Sequence, residues 1–237
     1  MSYVLKLASL ERQLERRWVH LLTSGKLGFK ASRTFALFTF AIIAKMYGQD
    51  WRRYHTLFHS KRMLDEMHSV RDMLKNPYLV EFAIFLHDIV YVVGRKDNEK
   101  MCGKLARSWL KEMRAPSLVI RRIVRLIVVA TKHPKSEKVR LTNDEKFMSD
   151  FDLLGFSLLW PEVVEYSKNV RREYSMYEDM EFIRGHHDFL HTLMYSGPIY
   201  KTKHFNTQYE IVAQENIFAI MKRGREIRSA RLTDKRL

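Results

Sequence analysis

One cysteine, five prolines and nine glycines in 237 residues leave little material for several protein classes. Cys102 alone can form neither an internal disulfide nor a thiolate zinc site, so a reducing setting is expected. Sparse glycine and proline argue against a loop-rich or all-β chain. Long apolar runs are also missing. The longest, residues 34–44, is too short to cross a bilayer and meets Lys45 at once. No leader is legible at Met1, where the chain runs straight into a charged amphipathic pattern; the expectation is a cytosolic protein without a membrane span. No glycine-rich phosphate loop occurs, which argues against P-loop chemistry. Acidic residues are outnumbered, 27 against 42 basic ones, and the formal charge of +15 suggests an anionic partner. A nucleotide, a nucleic acid or an acidic surface would fit.

What is present is helical periodicity. Leu7, Leu10, Leu14, Trp18 and Leu21 recur at three and four, with Gly25 and Gly28 beyond them. A second apolar helix is expected over about 31–47, stopped by Gly48. The next is expected over about 51–74, carrying Arg53, Tyr54, His55 and His59. Asn76-Pro77 reads as a helix start. Asp97-Asn98-Glu99 suits another, and a strongly apolar helix is expected from Ser117, ending at Thr131-Lys-His133-Pro134. Thr142 with Glu145 forms a capping-box pattern for the helix that bears Asp150 and Asp152 and ends at Gly155. Further helices are expected from Pro161 to Tyr174, over 179–195 and over 207–223. No segment alternates as a strand does, so the fold class is all-α. Size suits one large domain: an N-terminal helical segment, 1–48, a core of 49–221, and a basic tail, 222–237, expected to be frayed.

The chemistry concentrates at Phe82-Ala-Ile-Phe-Leu-His-Asp-Ile-Val-Tyr91. This apolar helix pattern carries His87 and Asp88 side by side. A carboxylate among such neighbours costs several kcal/mol unless a cation answers it. Two readings are open: a metal-ligand pair, or a hydrogen-bonded core histidine beside an aspartate ending the helix. His59, His87, Asp88 and Asp150 lie on three separate predicted helices. If they converged, two imidazoles and two carboxylates would suit Mn, Fe, Co, Ni, Zn or Mg without choosing among them.

The order His59, His87-Asp88, Asp150 resembles the HD superfamily of metal-dependent phosphohydrolases, in particular its group of predicted metal-dependent HD phosphohydrolases. The resemblance runs from about 50 to 220, through Arg53-Tyr-His55, Phe85-Leu-His87-Asp88-Ile-Val-Tyr91, Asp97-Asn-Glu99, Thr131 to His133, Leu154-Gly155 and Val170 to Tyr174. It continues with Arg184, Ile199-Tyr200-Lys-Thr202, Glu210 and Ala213 to Asn216. It implies a single HD-type helical bundle holding one divalent metal through His59, His87, Asp88 and Asp150. Asp150 is taken because it stands five residues before Gly155, with Asp152 as the alternative. Cys102-Gly103 and Val92 depart from the family pattern without touching a ligand.

The implied reaction is hydrolysis of a phosphomonoester or phosphodiester, in a nucleotide or at a nucleic-acid end. Asp88 and Glu99 are the candidate catalytic residues, Glu99 as proton acceptor. Arg53, Tyr54, His55, Lys132 and His133 are candidates for holding the phosphorylated substrate. Bland roles stand beside these: Glu99 as a helix-start charge, His133 as a helix-end charge, Arg171 and Tyr174 in a structural network with Glu173. His186, His187 and His191 read as a solvated helix face. A non-catalytic, metal-stabilised scaffold that binds nucleic acid through its basic surface is the alternative. A di-iron oxygenase is a weaker one, since only His133 lies between Asp88 and Asp150. The oligomeric state is not legible.

Overall fold

The stripe Leu10, Leu14, Trp18 and Leu21 is buried along helix α1 (Tyr3–Thr23), as its spacing predicts. The Trp18 ring packs against Phe82 and Phe85, with centroids at 5.0 and 5.1 Å, and its N–H donates to Thr39 Oγ1 at 2.9 Å. Arg17 Nε donates to the buried Glu81 at 2.5 Å. The N-terminal helix therefore packs directly on the helix that leads to His87.

In the computed structural model, which describes residues 3–129, 131 and 139–234, the described residues form ten α-helices and no strand. After α1 come α2 (Arg33–Tyr47), α3 (Leu57–Ser69), α4 (Pro77–Leu86), α5 (Asn98–Glu112) and α6 (Ser117–Val128). They are followed by α7 (Asn143–Asp152), α8 (Trp160–Glu173), α9 (Asp179–Tyr195) and α10 (Lys203–Asp234). The bundle is all-α, as expected, and no helix is long and apolar enough to cross a membrane among the described residues.

The local signals explain several boundaries. Ser32 caps α2 by accepting from Phe35 N, and Gly48 closes it. Proline opens α4 at its first turn. Thr142 and Glu145 make the reciprocal capping box of α7. Gly103 permits close packing of α5 on α6, because a Cβ there would come within 2.6 Å of Val128.

Several boundaries differ from expectation, among them the end of α3 at Ser69, the end of α6 at Val128 and the start of α10 at Lys203. Helix α3 begins at Leu57, so Arg53, Tyr54 and His55 lie in the turn before it and not one helical turn before His59. Three consecutive backbone N–H groups there, of Arg53, Tyr54 and His55, bond to Glu173 instead of to a helix. Gly155 lies inside a 3-10 turn, Leu153–Ser157, that follows α7 directly. The basic tail is not frayed where it is described: α10 runs unbroken to Asp234. Where α10 passes α9, Met221 is buried and a Cβ on Gly224 would stand 3.4 Å from Ile183.

Candidate metal centre

His59 projects from the first turn of α3, His87 closes α4, Asp88 follows it, and Asp152 ends α7. One ligand atom from each lies within 4.8 Å of all the others. The two Nε2 atoms of His59 and His87 are 3.2 Å apart. Asp152 Oδ1 stands 3.2 Å from His59 Nε2 and 3.6 Å from His87 Nε2. Asp88 Oδ2 is 3.2 Å from His87 Nε2 and 4.0 Å from His59 Nε2. Both histidines are buried, and both aspartates are partly so.

The fourth member of this group is Asp152, not Asp150. Asp150 is wholly buried and turned the other way, accepting from Lys201 N at 2.6 Å, Thr202 N at 2.8 Å and Thr202 Oγ1 at 2.7 Å. It holds the chain that enters α10. Burial pushes its carboxyl up to about 6, against those donors, which favour the ionised form.

No family model, curated protein or solved structure matches the chain.

The donor set fits a divalent cation on its own chemistry. His87 Nδ1 faces the Ile84 carbonyl at 2.8 Å, so the neutral ring keeps its proton there and presents the Nε2 lone pair to the group. A second imidazole nitrogen and two carboxylate oxygens meet that lone pair, an arrangement that calls for positive charge. The titrations express the same field. Burial works against a charged His87, yet Asp88, Tyr47 and Asp152 raise its pKa well above the ordinary value. Burial works upward on Asp88, but the charge and hydrogen bond of His87 together with the His55 charge outweigh it and hold the carboxyl low. His59 is lowered, chiefly by burial.

Around the four, Arg52 does what was not foreseen for it. Its buried guanidinium donates to the carbonyls of Asp88 at 2.7 Å, Ile89 at 3.0 Å and His55 at 3.1 Å. It thus locks the turn after His87 to the turn before α3. Its neighbour Arg53, the expected phosphate clamp, is exposed and donates to the Arg52 carbonyl. Tyr47 Oη accepts from Asp88 N at 3.3 Å, and burial pushes its phenol up to about 12. The Asn98 amide bonds both N–H and C=O of Val92, fixing the loop beyond Tyr91.

The other expected residues divide. The Tyr54 ring lies 4.9 Å from that of His59, and Gly155 leaves room for its hydroxyl, which a Cβ would approach to 2.8 Å. His55 stacks on Tyr91 at 4.1 Å, and its Nδ1 bonds Glu173 Oε2 at 2.6 Å. Glu99 sits half-buried in the first turn of α5, outside the four-residue group. Lys132 and His133 lie outside the described residues. Arg171 bonds Asp179 and the carbonyls of Tyr174 and Tyr177, which makes it structural. His186 is no free surface residue: it stacks on Phe182 at 5.1 Å, and burial lowers its pKa to about 4.

Proposed function

We propose that this chain is a metal-dependent phosphohydrolase of the HD type, acting on a phosphomonoester or phosphodiester of a nucleotide or nucleic-acid end. The observation that carries this reading is the meeting of His59, His87, Asp88 and Asp152 with every ligand atom within 4.8 Å of the others. The order of these residues resembles the HD pattern, with Asp152 in place of Asp150. Bound by them, one divalent ion of the Mn, Fe, Co, Ni, Zn or Mg kind supplies Lewis acidity toward a phosphoryl oxygen and makes water more acidic.

The protein's own groups have separable tasks. Asp88 and Asp152 supply the negative charge that retains the cation, and the Ile84 carbonyl fixes the His87 tautomer. Arg52 is spent on backbone carbonyls, so it sets the spacing of the turns and does not hold phosphate. His55 has Nδ1 committed to Glu173, which leaves Nε2 to bond a substrate oxygen. Its neighbours Tyr54 and Tyr91 shield that ring from water.

Elemental analysis of the purified protein is expected to find about one divalent ion per chain. With each metal returned in turn, a screen of nucleotides and simple phosphate esters should reveal metal-dependent release of phosphate. Retention of metal without hydrolysis of any ester would leave a metal-stabilised scaffold and overturn the enzymatic reading.

A further inference from the structure

A cleft of about 460 Å³ opens beside the cluster, between the turn that carries His55 and the helices α8 and α9. Its volume is that of an ordinary small-molecule site, roughly 300–1,000 Å³. His55 and Tyr91, stacked at 4.1 Å, form the end nearest the cluster, where the His55 ring stands 6.0 Å from that of His59. Eight of the eleven lining residues carry rings, and none is lysine or arginine. The lining therefore offers planar faces and no fixed positive charge from lysine or arginine. Some faces are already near parallel, Phe182 with His186 at 27° and Tyr174 with Tyr177 at 29°. Glu181, the carboxylate of the lining, can accept from an amino group or a ring N–H.

A neighbouring cleft of about 550 Å³ shares Phe182 and His186 but has the opposite character, with Lys168, Arg171, Arg172 and Arg223 in its lining. An anionic group would favour that one. The aromatic cleft suits an uncharged planar group.

Gly185 gives a second, independent indication. It lies in the middle of α9, where glycine weakens a helix relative to alanine, and it lines the aromatic cleft. A Cβ built on it meets nothing within 4 Å. Packing within the protein does not require a glycine at this position, and the missing side chain leaves the wall of the cleft open there.

We propose, resting on the phosphohydrolase reading above, that this cleft seats the purine base of a nucleotide whose phosphate is hydrolysed at the cluster. Stacking on the rings supplies affinity with little dependence on sequence context, and Glu181 favours bases that present N–H groups.

The test uses adenosine and guanosine, which lack phosphate, and ribose 5-phosphate, which lacks a base. Equilibrium dialysis with the full chain should show both nucleosides bound. Gly185→Leu, which fills the cleft, and Phe182→Ala, which removes a stacking face, should each weaken nucleoside binding about ten-fold or more while metal content stays unchanged. Nucleosides that fail to bind, or that bind both variants as they bind the parent protein, overturn the assignment. Hydrolysis of ribose 5-phosphate reads the cluster separately. If nucleosides bind through the cleft and no phosphate ester is turned over, the cleft assignment stands and the phosphohydrolase reading falls.

Discussion

Asp150 and Asp152 are separated by one residue of α7 and meet opposite chemistry. Asp150 faces donors: two backbone N–H groups and a hydroxyl answer its two oxygens. Asp152 faces the imidazole nitrogens of His59 and His87 across 3.2 and 3.6 Å, with Asp88 alongside. Other buried carboxylates behave as Asp150 does. Glu173 accepts three backbone N–H groups and the His55 ring, and Asp144 accepts from Lys75 N, Asn76 N and the Asn76 amide. Glu145 pairs with Arg125 and Glu81 with Arg17. Buried carboxylates satisfied by N–H groups or cations hold a fold together. The cluster gathers acceptors and titratable nitrogens toward one another, which is how a protein prepares a cation site.

The sharpest way to break this comparison is to delete the two aspartates separately. Asp152→Ala should drop the metal content to near zero and lower any metal-dependent hydrolysis by roughly three orders of magnitude, about 4 kcal/mol in the barrier. Asp150→Ala should leave the metal content near its parent value. If instead Asp150→Ala empties the protein of metal while it stays folded, and Asp152→Ala does not, the assignment of roles is reversed.

The same pair of variants should separate in stability, with a smaller effect. Asp150→Ala strands the N–H and hydroxyl of the buried Thr202, and that hydroxyl also caps α10 by accepting from Phe205 N at 3.3 Å. Unsatisfied buried donors of this kind cost about 1–3 kcal/mol each, so a loss of roughly 3 kcal/mol is expected by chemical denaturation. With metal chelated, Asp152→Ala should cost less, because removing it relieves an excess of negative charge between two partly buried carboxylates. Equal losses under chelation would mean that Asp152 is as structural as Asp150.

Why the wrong aspartate was the more readable one has a physical cause. Residues two apart on a helix point about 200° away from each other, so only one could face the histidines. On α7 the buried set includes Asp144, Glu145 and every residue from Phe147 to Phe151, so no exposed side marks the orientation. The helices themselves were legible wherever a boundary signal or a stripe was local, as at Gly48, Pro77, Thr142 and along α1. His87 and Asp88 were legible because polar groups stood out within an apolar pattern, and His59 through the order it shares with the HD pattern. Nothing local marks Arg52, because two of its carbonyl partners lie 36 and 37 positions away. Glu173 serves partners 118 to 120 positions away, and no local pattern encodes such a contact. The tail misled because dense charge was read as fraying, whereas α10 continues through it to Asp234.

The smallest expected effect probes Glu173, whose carboxylate combines backbone donors on one oxygen with a titratable ring on the other. Burial acts upward on its pKa, but the bonds from His55 and the backbone hold it below the ordinary value. Burial acts downward on His55, and the Glu173 bond together with the charges of Asp88, Glu173 and Asp152 outweighs it and raises that pKa. The lowered carboxyl contributes stability that is present above its unfolded pKa of about 4.3 and is lost as pH falls through the folded value. The raised histidine contributes stability that is full below its unfolded pKa of about 6.5 and is lost as pH rises through its folded value. The pair therefore stabilises most between about pH 4.3 and 6.5. Glu173→Gln keeps an oxygen for the three backbone N–H groups and removes the charge that faces His55. Under chelation, its stability deficit should be about 1–2 kcal/mol near pH 5.5 and should shrink toward pH 8 as His55 becomes neutral in the parent protein. A deficit that stays constant from pH 5 to pH 8 would show that Glu173 acts only on the backbone, and the ion pair with His55 would then contribute nothing of its own.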